Sequence, residues 1–375
     1  MSIFIRSFTL VIFLISLNSA NATHIVSGEI FYEYLGSDVY RITLIVIRDC
    51  ENSPVALDNP AAIGIFDGDT DTLVDFFQVP SAMLDTIPFS LPCDTLNTSF
   101  NGCWQKSTYQ TDVYLTSRPE GYTISYQRCC LVNNVVNIEA TSNDIGFTCS
   151  TTVNGTNSNA QINSRPYFKE NPPLVTCLND SITFDHGAID LDEDSLVYVI
   201  DSCFQGGSGF NPMPNPPSSP PYAHFNYELG FSFLNPLGLS STVNVDQLGN
   251  ITFIPSTVGD YLVAVRVDEY RNGQLIGSSR RPFIIRVMNL LTNDLDENLE
   301  DDSVLISPNP VTSYCIISNA NNAKLSVVNS LGQKVFKEKL MSDEETIQLE
   351  SFDSGIYYFT IELNEKRIIK KVVKF

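Results

Sequence analysis

Histidine, tryptophan and basic residues are scarce in this 375-residue chain: three His, one Trp, and 22 Lys+Arg against 43 Asp+Glu. His24, His186 and His224 are far apart, so a histidine-built metal centre or a nucleophile–His–acid triad would need distant segments to meet in space. A formal net charge of −21 argues against nucleic-acid binding, which needs clustered Lys and Arg to neutralise phosphates. No C-x-x-C pair supports a zinc site. Nucleophile-elbow and protease signatures are missing too. Gln205-Gly206-Gly207-Ser208-Gly209 reads as a flexible loop rather than a phosphate cradle. After residue 22 no apolar run reaches the roughly 20 residues that cross a bilayer, and no stretch repeats at helical spacing.

Residues 1–22 have the three parts of a secretory signal: Arg6, the apolar Phe8–Leu17, and the small-residue site Ala20-Asn21-Ala22. The expected mature start is Thr23. Eight of nine cysteines fall in one exported region: Cys50, Cys93, Cys103, Cys129, Cys130, Cys149, Cys177 and Cys203. An even number there predicts disulfides whose pairing sequence cannot fix. Cys93 with Cys103 suits a local bridge, Cys177 with Cys203 a second staple, and adjacent Cys129 and Cys130 are expected to pair outward. Cys315 stands apart as a free, half-buried strand residue.

The mature chain reads as β throughout. Tyr40, Ile42, Leu44 and Val46 share one face by the two-residue period, as do Tyr261, Val263, Val265 and Val267. Turn signals separate such runs, including Leu35-Gly36-Ser37-Asp38, Gly249-Asn250 and Arg271-Asn272-Gly273. Asp67, Asp69 and Asp71 lie between two apolar runs and read as a hairpin turn. The expected fold class is all-β: tandem Ig-like β-sandwich domains with a small C-terminal β-sandwich. The first domain is placed at 23–165 and the second at 166–288, after the prolines Pro166, Pro172 and Pro173. Asn211 to Pro221 is a proline-rich loop, read as a rigid surface connection. Residues 289–303 form an acidic, self-repelling linker. Residues 23–303 carry 12 basic and 35 acidic side chains, whereas 304–375 carry 9 and 8, a shift that marks a separate module.

That module resembles the type A sorting domain of the type IX secretion system of Bacteroidota. The resemblance rests on Ser307-Pro308-Asn309-Pro310, Lys324 to Val335 with Gly332, Ser354-Gly355-Ile356-Tyr357-Tyr358-Phe359, and the basic end Lys370-Lys371-Val372-Val373-Lys374-Phe375. Asn309-Pro310 is expected to start the first strand, and Gly332 and Gly355 to permit tight turns. The resemblance implies recognition by the secretion translocon, cleavage by a sortase-like peptidase, and then attachment to surface lipopolysaccharide or release. The implied location is the outer-membrane surface or the medium, after passage through the periplasm.

Residues 23–287 resemble secreted proteins that accompany this sorting domain, through Thr23 to Ile30, Arg48-Asp49-Cys50 and Gly121 to Cys130. Asp185-His186, Asp190 to Tyr198 and Gly259 to Tyr270 are similar to cadherin-like and Ig-fold repeats of bacterial adhesins. This implies a surface or adhesive role without catalysis. It also implies a calcium loop: Asp190, Asp192 and Asp194, with Asp268 and Glu269 supplying oxygens from a late strand, match a hard ion that takes six to eight oxygens. The family pattern has glycine where Glu193 stands. Asp-Ser/Thr-apolar triplets, such as Asp180-Ser181-Ile182, resemble O-glycosylation sites of exported Bacteroidota proteins. The expected function is therefore a non-enzymatic surface protein. A secreted hydrolase and a calcium-dependent glycan-binding module remain the alternatives.

Overall fold

A computed structural model describes residues 24–51, 53, 55–88, 102–139, 144–289, 304–330, 332–363 and 366–375. The signal segment, Cys93 and linker residues 290–303 lie outside the described residues. The protein is all-β, with no helix among the described residues. It forms two compact units, one holding the described residues up to 289 and the other those from 304.

The first unit begins with β1 (Ile25–Gly36), β2 (Val39–Asp49), β3 (Ala61–Asp67), β4 (Leu73–Val79), β5 (Ser81–Ile87), β6 (Trp104–Tyr114), β7 (Tyr122–Arg128) and β8 (Ile145–Val153). Short strands follow: β9 (Tyr167–Phe168), β10 (Val175–Cys177), β11 (Ile182–Asp185), β12 (Ala188–Ile189), β13 (Ser195–Ile200), β14 (Gln205–Ser208), β15 (Thr242–Val245) and β16 (Asn250–Ile254). The long hairpin β17 (Gly259–Arg271) and β18 (Gln274–Met288) closes the unit. Asn272 and Gly273, at φ 54° and 76°, make its turn, as their sequence foretells.

One eight-stranded sheet runs β13-β17-β18-β1-β2-β6-β5, with β10 joined in parallel to β18. A five-stranded sheet, β14-β8-β7-β3-β4, covers one face of it. Ile42, Leu44, Ile124, Phe147, Leu262, Ala264 and Ile284 fill the core between them. Gly28 makes the close approach possible, since a Cβ there would sit 2.7 Å from Cys149 Sγ. The three-stranded sheet β11-β16-β15 supplies Ile251 and Phe253 to a second core, with Tyr261, Val263, Val265, Val267, Phe283, Ile285 and Val287. Alternation therefore sends successive β17 and β18 side chains into two different cores. Residues on both sides of 165/166 share one sheet, because β1, β2, β5 and β6 precede that point and β10, β13, β17 and β18 follow it.

Cysteine pairing departs from the local expectations. Cys50 bonds Cys103, so Cys93 does not. Asp49 faces Trp104 in the β2–β6 ladder, which places Cys50 opposite Cys103 one step beyond it. Cys129 and Cys130 bond each other rather than outward partners, each in a fully packed setting. Cys177 is disulfide-bonded, but not to Cys203, which carries a free thiol like Cys149 and Cys315. The glycine-rich stretch expected as a flexible loop forms β14 instead, because its backbone completes the free edge of β8. The proline-rich loop docks on β7: Pro212 O accepts from Cys129 N, and Ser218 N donates to Gln127 Oε1.

The second unit holds β19 (Leu305–Ser307), β20 (Tyr314–Ser318), β21 (Lys324–Asn329), β22 (Lys334–Lys339), β23 (Glu344–Gln348), β24 (Gly355–Leu363) and β25 (Lys366–Lys374). Its sheets, β19-β20-β23 and β22-β21-β24-β25, enclose Cys315, Ile317, Leu325, Val327, Ile347, Phe359, Ile361 and Val372. Cys315 is fully rather than half buried.

Candidate functional site

The acidic loop between β12 and β13 brings Asp190, Asp192 and Asp194 together with Glu269 of β17, one carboxylate oxygen from each lying within 4.8 Å of the others. The loop folds on itself: Asp190 Oδ1 accepts from the backbone N–H groups of Asp192 (3.0 Å) and Asp194 (2.9 Å). Glu193 takes φ 62°, the left-handed conformation that glycine favours, which explains how the loop closes without one. Asp268 is not part of the group. Alternation turns it to the other face, where it pairs with Arg266 at 2.7 Å and accepts from Ser278.

Two arginines already serve this cluster. Arg271 grips Asp194 with two bonds of 2.8 and 2.6 Å. Arg165, 1% exposed, donates to Glu269 at 2.6 Å, while Asn163 donates to the other Glu269 oxygen at 2.7 Å. Arg165 also reaches Thr152 O, Asn154 Oδ1 and Ile276 O. A Cβ at Gly277 would stand 1.3 Å from its guanidinium, so any larger residue there would displace Arg165 from this position. Burial pushes the Glu269 carboxyl up to about 7 despite Arg165 beside it. Burial likewise raises Asp190, whereas hydrogen bonding to Arg271 lowers Asp194. Four carboxylates facing two guanidiniums leave negative charge uncompensated, and Asp190 Oδ2 is shielded with no hydrogen-bond partner. The cluster could hold a metal ion, but only in competition with Arg271.

Sequence reasoning missed Arg165 and Arg271. Arg165-Pro166 looked like a domain boundary, and only the buried Glu269 reveals its role.

Elsewhere the titratable groups serve the fold. Arg281 pairs with Glu29 at 2.7 Å and Arg128 with Asp58 at 3.0 Å, all four side chains buried. The backbone N–H of Thr70 first, then the Arg118 guanidinium and the Asp69 N–H, hold the Asp67 carboxyl down at about 2. That confirms the hairpin turn. His186 is enclosed by Phe168, Phe184 and Phe283 at ring distances of 4.5, 5.9 and 5.4 Å. Neither of its ring nitrogens has a partner, and Asp185 turns away to accept from Gly187 N. His24 is buried near Asp49, and His224 packs at a tilt against Phe204, ring centroids 4.7 Å apart. The three histidines do not converge. An open cleft of about 370 Å³ lies between β14 and the proline-rich loop, lined by Gln127, Gln205, Ser218 and Tyr222. The described Asp-Ser/Thr-apolar hydroxyls, on Thr72, Thr86, Ser181 and Ser195, are all exposed.

In the C-terminal unit, Asn309 follows β19 rather than starting a strand. Its side chain instead completes the edge of β25, donating to Lys371 O (2.7 Å) and accepting from Val373 N (2.9 Å). Val311 N adds a bond to Val373 O. Pro308 and Pro310 flank this clamp. Gly332 sits in the β21–β22 turn at φ 77°, as expected. Gly355 is a regular β24 residue facing Lys374, with no turn conformation. Lys370 and Lys371 lie on β25, opposite Phe359 and Tyr358.

Residues 305–374 match the family described as "Secretion system C-terminal sorting domain". No curated protein matches the chain. Among solved structures it is similar to Drosophila OTK extracellular domains 3–5, with 11% identity, 90% of each chain covered and a TM-score of 0.21. It is also similar to the BSP domain of a biofilm associated protein, with 9% identity, 96% of this chain and 67% of that one covered, and a TM-score of 0.17. For PorZ, a surface component of the type-IX secretion system of Porphyromonas gingivalis, the values are 12%, 93%, 51% and 0.18. TM-scores this low carry no inference. The sorting domain marks the chain for export to the cell surface or medium. No helix among the described residues is long and apolar enough to cross a membrane.

Proposed function

We propose that residues 23–288 are a non-catalytic, adhesin-like passenger displayed outside the cell, delivered by the type IX system through the C-terminal sorting domain. In this reading a sortase-like peptidase removes residues 304–375, and the passenger is attached to lipopolysaccharide or released. The observation that carries the reading is the use of buried charge in the first unit. Arg165–Glu269, Arg281–Glu29 and Arg128–Asp58 are buried structural pairs, and neither ring nitrogen of His186, beside Asp185, has a hydrogen-bond partner. Recognition then falls to loops on a rigid β-scaffold. The 209–241 loop suits this role, presenting Phe210, Leu229 and Leu239 almost wholly to solvent.

The test compares the full chain with a form lacking 304–375 in a type IX-competent host. Mass spectrometry of surface, medium and periplasm should find the truncated form only in the periplasm. Normal surface delivery without the tail would remove the basis of the reading. Turnover of ester or glycoside substrates by purified passenger would favour the hydrolase alternative.

Calcium binding is a second reading, favoured by the unpartnered Asp190 Oδ2 within the four-carboxylate cluster. Here calcium takes Asp194 from Arg271, so Arg271→Gln should tighten binding and Asp190→Asn should abolish it. Calorimetric titration reads both. Absence of calcium heat and of any thermal shift in parent and Arg271→Gln would exclude this reading.

A further inference from the structure

Two cysteines in the core of the first unit carry free thiols, Cys149 within β8 and Cys203 two residues before its partner strand β14. Gln205 pairs with Phe147 in the antiparallel β14–β8 ladder, and Thr148 N donates to Phe204 O at 2.9 Å. Continuing this register two residues past the Gln205–Phe147 pair sets Cys203 opposite Cys149. Because Thr148 and Phe204 are hydrogen-bonded, the next pair falls at a non-hydrogen-bonded position, where facing Cα atoms come to about 4.5 Å. That lies within the roughly 4.4–6.8 Å range of natural disulfides. Both side chains enter the same core and both are buried, at 1% and 0% exposure. Gly28, across the core from Cys149 Sγ, leaves room there that no other residue would. The Cys50–Cys103 bond provides an internal precedent, since it too lies just beyond the end of an antiparallel ladder.

We infer that Cys149 and Cys203 form a cross-strand disulfide in the exported protein, fastening the base of the 209–241 loop to the five-stranded sheet. The bond has structural consequences. Cys203 to Gln205 is threaded between β8 and residues 223–225, with Phe225 N donating to Cys203 O and Gln205 N to Ala223 O. Crosslinking Cys203 to β8 thus anchors the strand that leads into the loop, the 223–225 segment folded back against it, and one wall of the adjacent cleft.

The chemistry is a thiol–disulfide exchange with an exported protein disulfide of the oxidant class. One thiolate attacks that disulfide and releases a thiol. The second thiolate then displaces the remaining oxidant sulfur from the mixed disulfide. One S–S bond forms in this chain and one breaks in the oxidant, which takes up both electrons and both protons as two thiols. Burial raises both thiols well above their ordinary range, so the exchange precedes closure of the sandwich.

The test uses the full chain recovered from an oxidising periplasm. Free thiols are alkylated in denaturant, and the protein is digested with trypsin and an aspartate-directed protease without reduction. These cuts leave Cys149 on 144–169 and Cys203 on 201–245. The expected result is the two peptides joined, neither alkylated, with Cys315 alkylated. Alkylation of both Cys149 and Cys203, or either joined to another cysteine, would overturn the inference. A second measurement uses Cys149→Ser, which should change Cys203 from unreactive to fully alkylated in denaturant. An unchanged Cys203 signal would count equally against the bond.

Discussion

His186 and Glu269 are buried titratable groups whose effects on stability run in opposite directions. Burial, assisted by Arg281, holds the His186 imidazole well below its ordinary 6.5. As pH falls below about 6.5 the unfolded chain binds a proton that the folded chain refuses, so stability is lost at up to about 1.4 kcal/mol per pH unit. Glu269 behaves conversely. Its folded carboxyl, raised to about 7 from 4.5, keeps a proton between those values that the unfolded chain has released. Its contribution is therefore full below about 4.5 and lost as pH rises towards 7. Between about 4.5 and 6.5 the two slopes oppose one another. His186→Phe, which keeps the aromatic box filled, should gain stability relative to the parent as pH falls from 7 to 5. Glu269→Gln should lose its relative advantage over the same fall. Melting temperatures across that range check both, and curves parallel to the parent for either variant would contradict the assignment for that residue.

At the scale of elements, the last strand shows how a short motif acts. β25 is an edge of its sheet, and an unpaired edge presents orphan N–H and C=O groups. The Asn309 amide supplies one donor and one acceptor to that edge, at Lys371 O and Val373 N, as a neighbouring strand would. Asn309→Ala removes both bonds at an exposed site, each worth about 0.5–1.5 kcal/mol. Hydrogen exchange should speed up at Val373 N by roughly tenfold or more, while amides within β21 change little. Unchanged protection at Val373 would mean that Val311 alone holds the edge. Sequence marked Asn309 and Pro310 as important but misplaced their work, because a side chain substituting for a strand leaves no periodic pattern. Turns were easier to read. Asn272-Gly273 adopts the left-handed angles its composition demands, whatever surrounds it.

Across the whole molecule, the all-β class was legible because alternation and turn chemistry are local. Pairing was not. Cys50 finds Cys103 only once the β2–β6 register is known, and Asp268 parts from Glu269 because of which face each occupies. The boundary placed at 165/166 drew on prolines, yet Arg165 beside them is buried against Glu269 from the far end of the chain segment. The run Tyr261 to Val267 gives the reason. A strand covered on both faces reads as nearly continuous apolar sequence, and here Leu262 and Ala264 enter one core while Tyr261, Val263, Val265 and Val267 enter another. Removing residues 23–165 would bare Leu262, Ala264 and Ile284, and would strand Glu269 without its arginine. Removing 166–288 would take β17 and β18 from the middle of the eight-stranded sheet. Leaving one member of a buried pair behind typically costs about 3–5 kcal/mol, comparable to the whole stability of a small domain. Neither half expressed alone should show near-ultraviolet circular dichroism or a cooperative melt, whereas 23–288 should unfold in one transition with coincident far- and near-ultraviolet midpoints. A stable, cooperatively melting 23–165 fragment would instead make the shared sheet a contact between two finished domains.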